Sequence, residues 1–138
     1  MSEESGIPEH LEIVRRANDA FNRRDGDAWL SFFSVDVVYR PVPTFTDSQA
    51  RRGLDALRRF MDEWHDAWAD DYITHVESIR EYGDAVIVLL RFTGHARASG
   101  VEVAGAIFEV CRFRDGKIAS VEDFTDRADA LKAAGADG

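Results

Sequence analysis

The second half of the chain constrains the fold most. Residues 72–82, 85–98, 101–114 and 117–125 are four β-rich segments parted only by the turn pairs Gly83-Asp84, Ser99-Gly100 and Asp115-Gly116. Asp-Gly between alternating apolar residues is the strongest short-range hairpin signal, so these segments predict an antiparallel meander. A single such sheet leaves one apolar face to be covered. The cover has to come from the other half of the chain.

That half changes period. Leu11, Val14, Ala17 and Phe21 recur at helical spacing over residues 8–24, with Pro8 suited to a first turn and Asp25-Gly26 to a stop. Asp27 can cap a short second helix carrying Trp29, Phe32 and Phe33, and "VDVVYRP" reads as a brief strand ended by Pro41 and a Pro-rich loop. After Gly53, a third helix carries Leu54, Leu57, Met61, Trp64 and Trp68 on one stripe until Asp70-Asp71. Residues 127–134 read as a short closing helix before a loose small-residue tail. Helices first and strands afterwards predict an α+β fold: a cone-shaped, curved antiparallel sheet wrapped around three N-terminal helices and enclosing a pocket.

The 138 residues suit one domain, with a core over about residues 8–131, large enough to bury roughly two-thirds of the surface of the unfolded chain. A net charge of −9 repels phosphate backbones, and the Arg-Arg pairs at 15–16, 23–24, 51–52 and 58–59 are scattered among acids, so nucleic acid is not an expected partner. The longest apolar run, residues 85–90, is too short to span a bilayer, and the first ten residues do not resemble a secretory signal. With one cysteine there is no internal disulfide, and a cytoplasmic protein is expected. His10, His65, His75 and His95 lack paired ligand spacing, so neither a metal nor another cofactor is expected.

The element order, together with "AFNRRDGDAWLSFF", "SGVEV" and "CRFRDGKIASVEDF", resembles the SnoaL-like branch of the nuclear-transport-factor-2-like superfamily, with its ketosteroid isomerase-like fold. The resemblance implies the α+β cone, a deep and mainly apolar pocket, and a homodimer formed through the outer sheet face. Alternating Val88, Leu90 and Phe92 are expected to lie on that outer face. Laid on ketosteroid isomerases, Ala17 falls at the oxyanion tyrosine, Pro41 at the general base and Glu109 at the neutral acid, so steroid-type isomerisation is not an expected activity. Laid on polyketide cyclases, "GKIASVED" puts Asp123 at the acid/base aspartate, while Val121 and Glu122 depart from the usual histidine-tryptophan pair.

Which acid of the last strand faces inward depends on register. A three-residue loop over Arg114-Asp115-Gly116 sets Phe113 opposite Lys117 and puts Ile107, Glu109, Val121 and Asp123 on one face. A strict two-residue loop puts Glu122 there instead, and a bulge near Ala119 switches the faces back. The first register is preferred here because it agrees with the family's aspartate. A turn centred near Gly100 sets Arg91 across from Glu109, giving an acid-Arg-acid set that is similar to epoxide hydrolases of this fold. Asp123, Glu109 and Arg91 are therefore the candidate catalytic residues. Tyr39, Trp64, Trp68 and Cys111 are candidate substrate-lining residues, with core packing the competing role. Two functions follow. One is a cofactor-free acid/base enzyme of isomerase, cyclase or hydratase/dehydratase type acting on a largely apolar small molecule; the other is a non-catalytic ligand-binding or oligomerisation module.

Overall fold

The computed structural model describes residues 6–42 and 49–135. In chain order the elements are α1 (Gly6–Asn22), α2 (Gly26–Leu30), β1 (Phe33–Arg40), β2 (Arg51–Arg52), α3 (Leu54–Ala67), β3 (Ile73–Tyr82), β4 (Ala85–His95), β5 (Glu102–Arg114), β6 (Lys117–Phe124) and α4 (Arg127–Ala133). One six-stranded sheet has the order β2-β1-β6-β5-β4-β3. It is a curved α+β sheet with helices in its concavity. Most of the Pro-rich loop and the end of the tail fall outside the described residues.

The meander β3-β4-β5-β6 is antiparallel throughout, but β1 joins β6 in parallel, so the sheet is mixed. The physical reason is connectivity: β1 returns to the sheet through β2 and α3, a crossover long enough to allow a parallel neighbour. The two-residue β2 is too short to leave a periodic signal.

The helices present their predicted stripes. Val14, Ala17 and Ala20 of α1 and Leu57, Phe60 and Met61 of α3 are buried against the sheet, each large side chain worth ~1.5–3 kcal/mol. The cap of α2 is Asp25 rather than Asp27: Asp25 Oδ1 accepts from Ala28 N at 3.1 Å, while Asp27 sits in the first turn and pairs with Arg58. A polar clip ties α1 to β3. Asn22 Nδ2 donates to Thr74 O at 2.9 Å, and Thr74 N donates to Asn22 Oδ1 at 3.0 Å.

Val86, Val88, Leu90 and Phe92 face inward, packing with α1 and α3, which corrects the expectation that Val88, Leu90 and Phe92 lie on the outer face. The opposite face of β4 carries Ala85 and Ile87, and α4 covers them together with Val110. The case for a homodimer therefore loses these three residues. Two glycines let aromatic rings come close to the sheet. A Cβ at Gly105 would stand 2.8 Å from Phe92 Cζ, and one at Gly94 would stand 2.8 Å from Tyr72 Cα.

Candidate functional site

The β5-β6 hairpin sets the site. Arg114 pairs with Lys117 across a two-residue turn in which Asp115 and Gly116 have φ of 53° and 78°, the backbone signature of a type I′ turn. This corrects the preferred three-residue loop. Left alone, the two-residue register would bring Glu122 inward, but the pairing shifts between Phe113↔Ile118 and Arg112↔Ser120, leaving Ala119 as a bulge. Beyond it, Cys111 faces Val121 and Glu109 faces Asp123. Asp123 is 7% exposed, whereas half-buried Glu122 lies on the other face beside Arg40 and Val110.

Parallel pairing with β6 delivers a third group. Tyr39 lies beside Val121 and reaches across to the acids: its hydroxyl donates to Asp123 Oδ2 at 2.6 Å and stands 3.2 Å from Glu109 Oε2. The two carboxyl groups are direct cross-strand neighbours that meet at the one phenol hydroxyl. A phenol has one proton to give, so two carboxyl groups meeting at it require a second proton on the pair. Burial pushes the Asp123 carboxyl well above the usual carboxylate range, and the charge of Glu109 pushes it the same way. Burial also raises Glu109, although hydrogen bonds from Asp123 and Tyr39 oppose the rise. The phenol of Tyr39 is raised by burial and by both acids, so it stays neutral. Asp123 Oδ1 is buried without a hydrogen-bond partner.

These groups border a cavity of about 90 Å³ between the sheet and α1 and α3. At roughly 10–15 Å³ per water it has room for several waters or one small ring compound. Its wall is mainly apolar and includes Phe60, Trp64, Tyr72, Phe92 and Ile107, with Asn18 and Thr74 as neutral polar members. Ala17 and Pro41 also line it.

The candidate residues divide clearly. Asp123, Glu109, Tyr39, Trp64 and Cys111 all border the cavity. The thiol of Cys111 is raised well above its ordinary value, first by burial and then by the neighbouring acids, so it is a poor nucleophile. Arg91 is elsewhere. The β4-β5 register pairs it with Ala106, not Glu109, and it lies exposed on the outer face in an ion pair with Glu77. The cause is the turn: His95 pairs with Glu102, which centres the connection before Ser99 and sets Val88 opposite Glu109. Trp68 is buried and stacks on Tyr72 at 5.2 Å without bordering the cavity. Tyr72 was missed because it stands at the start of an unremarkable strand pattern. The hydrogen bond of Tyr39 to Asp123 was missed because it depends on the parallel β1-β6 pairing.

Among the described residues, no group of three His, Cys, Asp or Glu side chains is arranged to hold a metal, and no helix is long and apolar enough to cross a membrane.

The sequence pattern of the SnoaL-like domain matches residues 14–121. No curated protein matches the sequence. Among solved structures, an NTF2-like protein of unknown function from Burkholderia pseudomallei K96243 is 22% identical, covering 90% of this chain and 95% of its own, with a TM-score of 0.74. A proposed SnoaL-like polyketide cyclase from Jannaschia sp. CCS1 is 22% identical, covering 95% and 94%, with a TM-score of 0.74. A protein of ketosteroid isomerase-like fold from Catenulispora acidiphila, in complex with trimethylamine, is 19% identical, covering 90% and 92%, with a TM-score of 0.72. At these identities the likeness is one of fold.

Proposed function

The chain belongs to the SnoaL-like domain family, and on that premise we propose that it is a cofactor-free acid/base enzyme acting on a small, largely apolar organic molecule. The observation that carries the reading is the hydrogen-bonded cluster of Tyr39, Asp123 and Glu109 at the wall of an apolar cavity, with one Asp123 oxygen unpartnered. Two acids side by side and shielded from water hold a proton to higher pH than an exposed carboxylate would. Asp123, which lines the cavity, is the donor. Once Asp123 has given up the proton the pair shares, the Tyr39 hydroxyl, donating to Oδ2, holds that oxygen in place and stabilises the charge left on it. The same pair can take a proton back, which suits isomerisation, cyclisation, hydration or dehydration.

Steroid-type isomerisation lacks its tyrosine and aspartate, since Ala17 and Pro41 stand at those positions and both line the cavity. Epoxide opening of the acid-Arg-acid kind lacks its arginine, with Arg91 on the outer face. The test is hydrogen exchange at carbon: small cyclic ketones are incubated in heavy water with the protein and followed by NMR. The wild type should exchange α-hydrogens faster than buffer, and Asp123→Asn should not. Equal exchange by both proteins would leave the cavity a non-catalytic binding module.

A further inference from the structure

The cavity is short of hydrogen-bond donors and of positive charge. Its acidic end presents four carboxyl oxygens and one phenol oxygen, yet Tyr39 supplies a single proton and the acids share another. Among the described residues lining the cavity there is no Lys, Arg or His. Asp123 Oδ1 is left buried and unpartnered in a side chain only 7% exposed. What the site lacks is a cationic donor.

The facing wall favours the same kind of group. An arc of aromatic rings starts at the acids and runs round the cavity, each centroid within reach of the next: Tyr39 to Phe60 at 4.8 Å, Phe60 to Trp64 at 5.8 Å, Trp64 to Tyr72 at 6.0 Å and Tyr72 to Phe92 at 5.9 Å. Ring faces carry the negative end of the aromatic quadrupole, and they attract ammonium groups most strongly where water is excluded. Phe60 already receives one cation, since Arg51, which does not line the cavity, lies 5.4 Å from its centroid. A neutral ligand would gain from the apolar walls alone. An ammonium would gain from the walls, the rings and the carboxylate together, while an anion would be repelled.

We propose that the cavity binds an organic ammonium ion, an N–H⁺ on a small apolar body, with its N–H directed to Asp123 Oδ1 and its carbon skeleton against the Phe60-Trp64-Tyr72 arc. This names the substrate class and rests on reading the Tyr39-Asp123-Glu109 cluster as the working end of the cavity. A cation there takes over the role of the shared proton, so binding releases that proton and weakens as pH falls. The titratable groups facing the site are Tyr39 from β1, Tyr72 ahead of β3, and Glu109 and Cys111 from β5, while Glu122, next in sequence on β6, acts on Asp123 only by its charge from the outer face; α1 and α3 contribute only uncharged residues to its lining.

Three probes of one size and different charge test this by calorimetry: benzylammonium, benzyl alcohol and benzoate. Benzylammonium should bind roughly tenfold more tightly than benzyl alcohol at neutral pH, with benzoate weakest. Its measured heat should change with the ionisation enthalpy of the buffer, reporting proton release from the wild type without any substitution. In Asp123→Asn/Glu109→Gln, checked for folding by circular dichroism, the preference for benzylammonium over benzyl alcohol should vanish. Equal or tighter binding of benzyl alcohol, no binding of any probe at millimolar concentration, or a preference that survives removal of both acids would overturn the proposal. The ketone experiment is independent: an absence of α-hydrogen exchange with the ammonium preference intact would overturn only the acid/base activity.

Discussion

Glu109 and Asp123 face each other directly across the β5-β6 ladder, and Tyr39 closes the contact from β1. Like charges so placed destabilise a sheet unless a proton intervenes. The pair is therefore a proton-holding unit that titrates jointly, with apparent pKa values belonging to both acids. Its position depends on one bulged residue, Ala119, which restores Asp123 to the inner face after the tight turn.

Tyr39→Phe should cost about 1–3 kcal/mol, because Asp123 Oδ2 loses its donor while remaining buried. The phenol hydrogen bond also favours the ionised form of Asp123, so its removal should move the acid still further upward. Infrared spectra should show the protonated carboxyl band persisting to higher pH than in the wild type. An unshifted band would mean that Tyr39 only packs.

His65 gives stability an acid-side limit. Burial, reinforced by the charge of Arg24, lowers its pKa to about 4, and its ring packs 4.5 Å from Phe21. Because the unfolded chain binds this proton more readily, the contribution of His65 is complete above pH 6.5 and is lost as pH falls towards about 4, up to roughly 3 kcal/mol in all. The acid pair has the opposite sign: its pKa values are raised, so its contribution declines as pH rises above the usual carboxylate range. Subtracting the melting profile of His65→Leu from that of the wild type should isolate the histidine slope, and a flat difference would refute it.

Local signals carried most of the fold. The stripe Leu57, Met61, Trp64 and the turn pairs Gly83-Asp84 and Asp115-Gly116 announce their elements within a few residues, and those elements form where expected. What was not legible is non-local. Nothing in "VDVVYRP" says that β1 pairs in parallel with β6, and no residue pattern distinguishes a three-residue loop from a tight turn followed by a bulge. Both courses put Asp123 on the inner face, so that face was reached through the wrong turn. Arg91 shows the converse. A centre for the β4-β5 turn misplaced by about one and a half residues moved its partner by three and carried it to the wrong side of the sheet.

Gly116→Ala should destabilise the protein by about 1 kcal/mol, since φ of 78° is open to glycine and strained for alanine. Asp115→Asn should be neutral or slightly stabilising, as asparagine tolerates the left-handed backbone that φ of 53° requires. Urea midpoints of the two variants, moving in different directions, would verify the turn type; equal losses would argue against it.

Arg91→Ala should change stability by no more than about 0.5 kcal/mol, because its ion pair with Glu77 is exposed. The infrared titration of the acid pair should be unchanged. A displaced titration would show that the guanidinium acts across the sheet after all.

The neighbours Glu122 and Asp123 provide the most direct contrast, because adjacent strand residues point to opposite faces. Glu122 is half-buried on the outer side and affects the pair only through its charge, which helps to raise Asp123. Glu122→Gln should therefore leave stability within about 0.5 kcal/mol of the wild type and retain the protonated carboxyl band, displaced slightly to lower pH. Asp123→Asn should act differently. The amide preserves shape and the contact with Tyr39, removes the group that burial and Glu109 hold protonated, and leaves Glu109 without a like-charged neighbour. In alkaline buffer, where the wild-type pair is forced to ionise, the variant should be more stable by roughly 1–3 kcal/mol, and in acid the two should converge. Melting profiles across that range, with Glu122→Gln as the control, decide the matter: if the glutamine variant shows the alkaline gain and the asparagine variant does not, the buried acid is Glu122 and the inner face has been assigned wrongly.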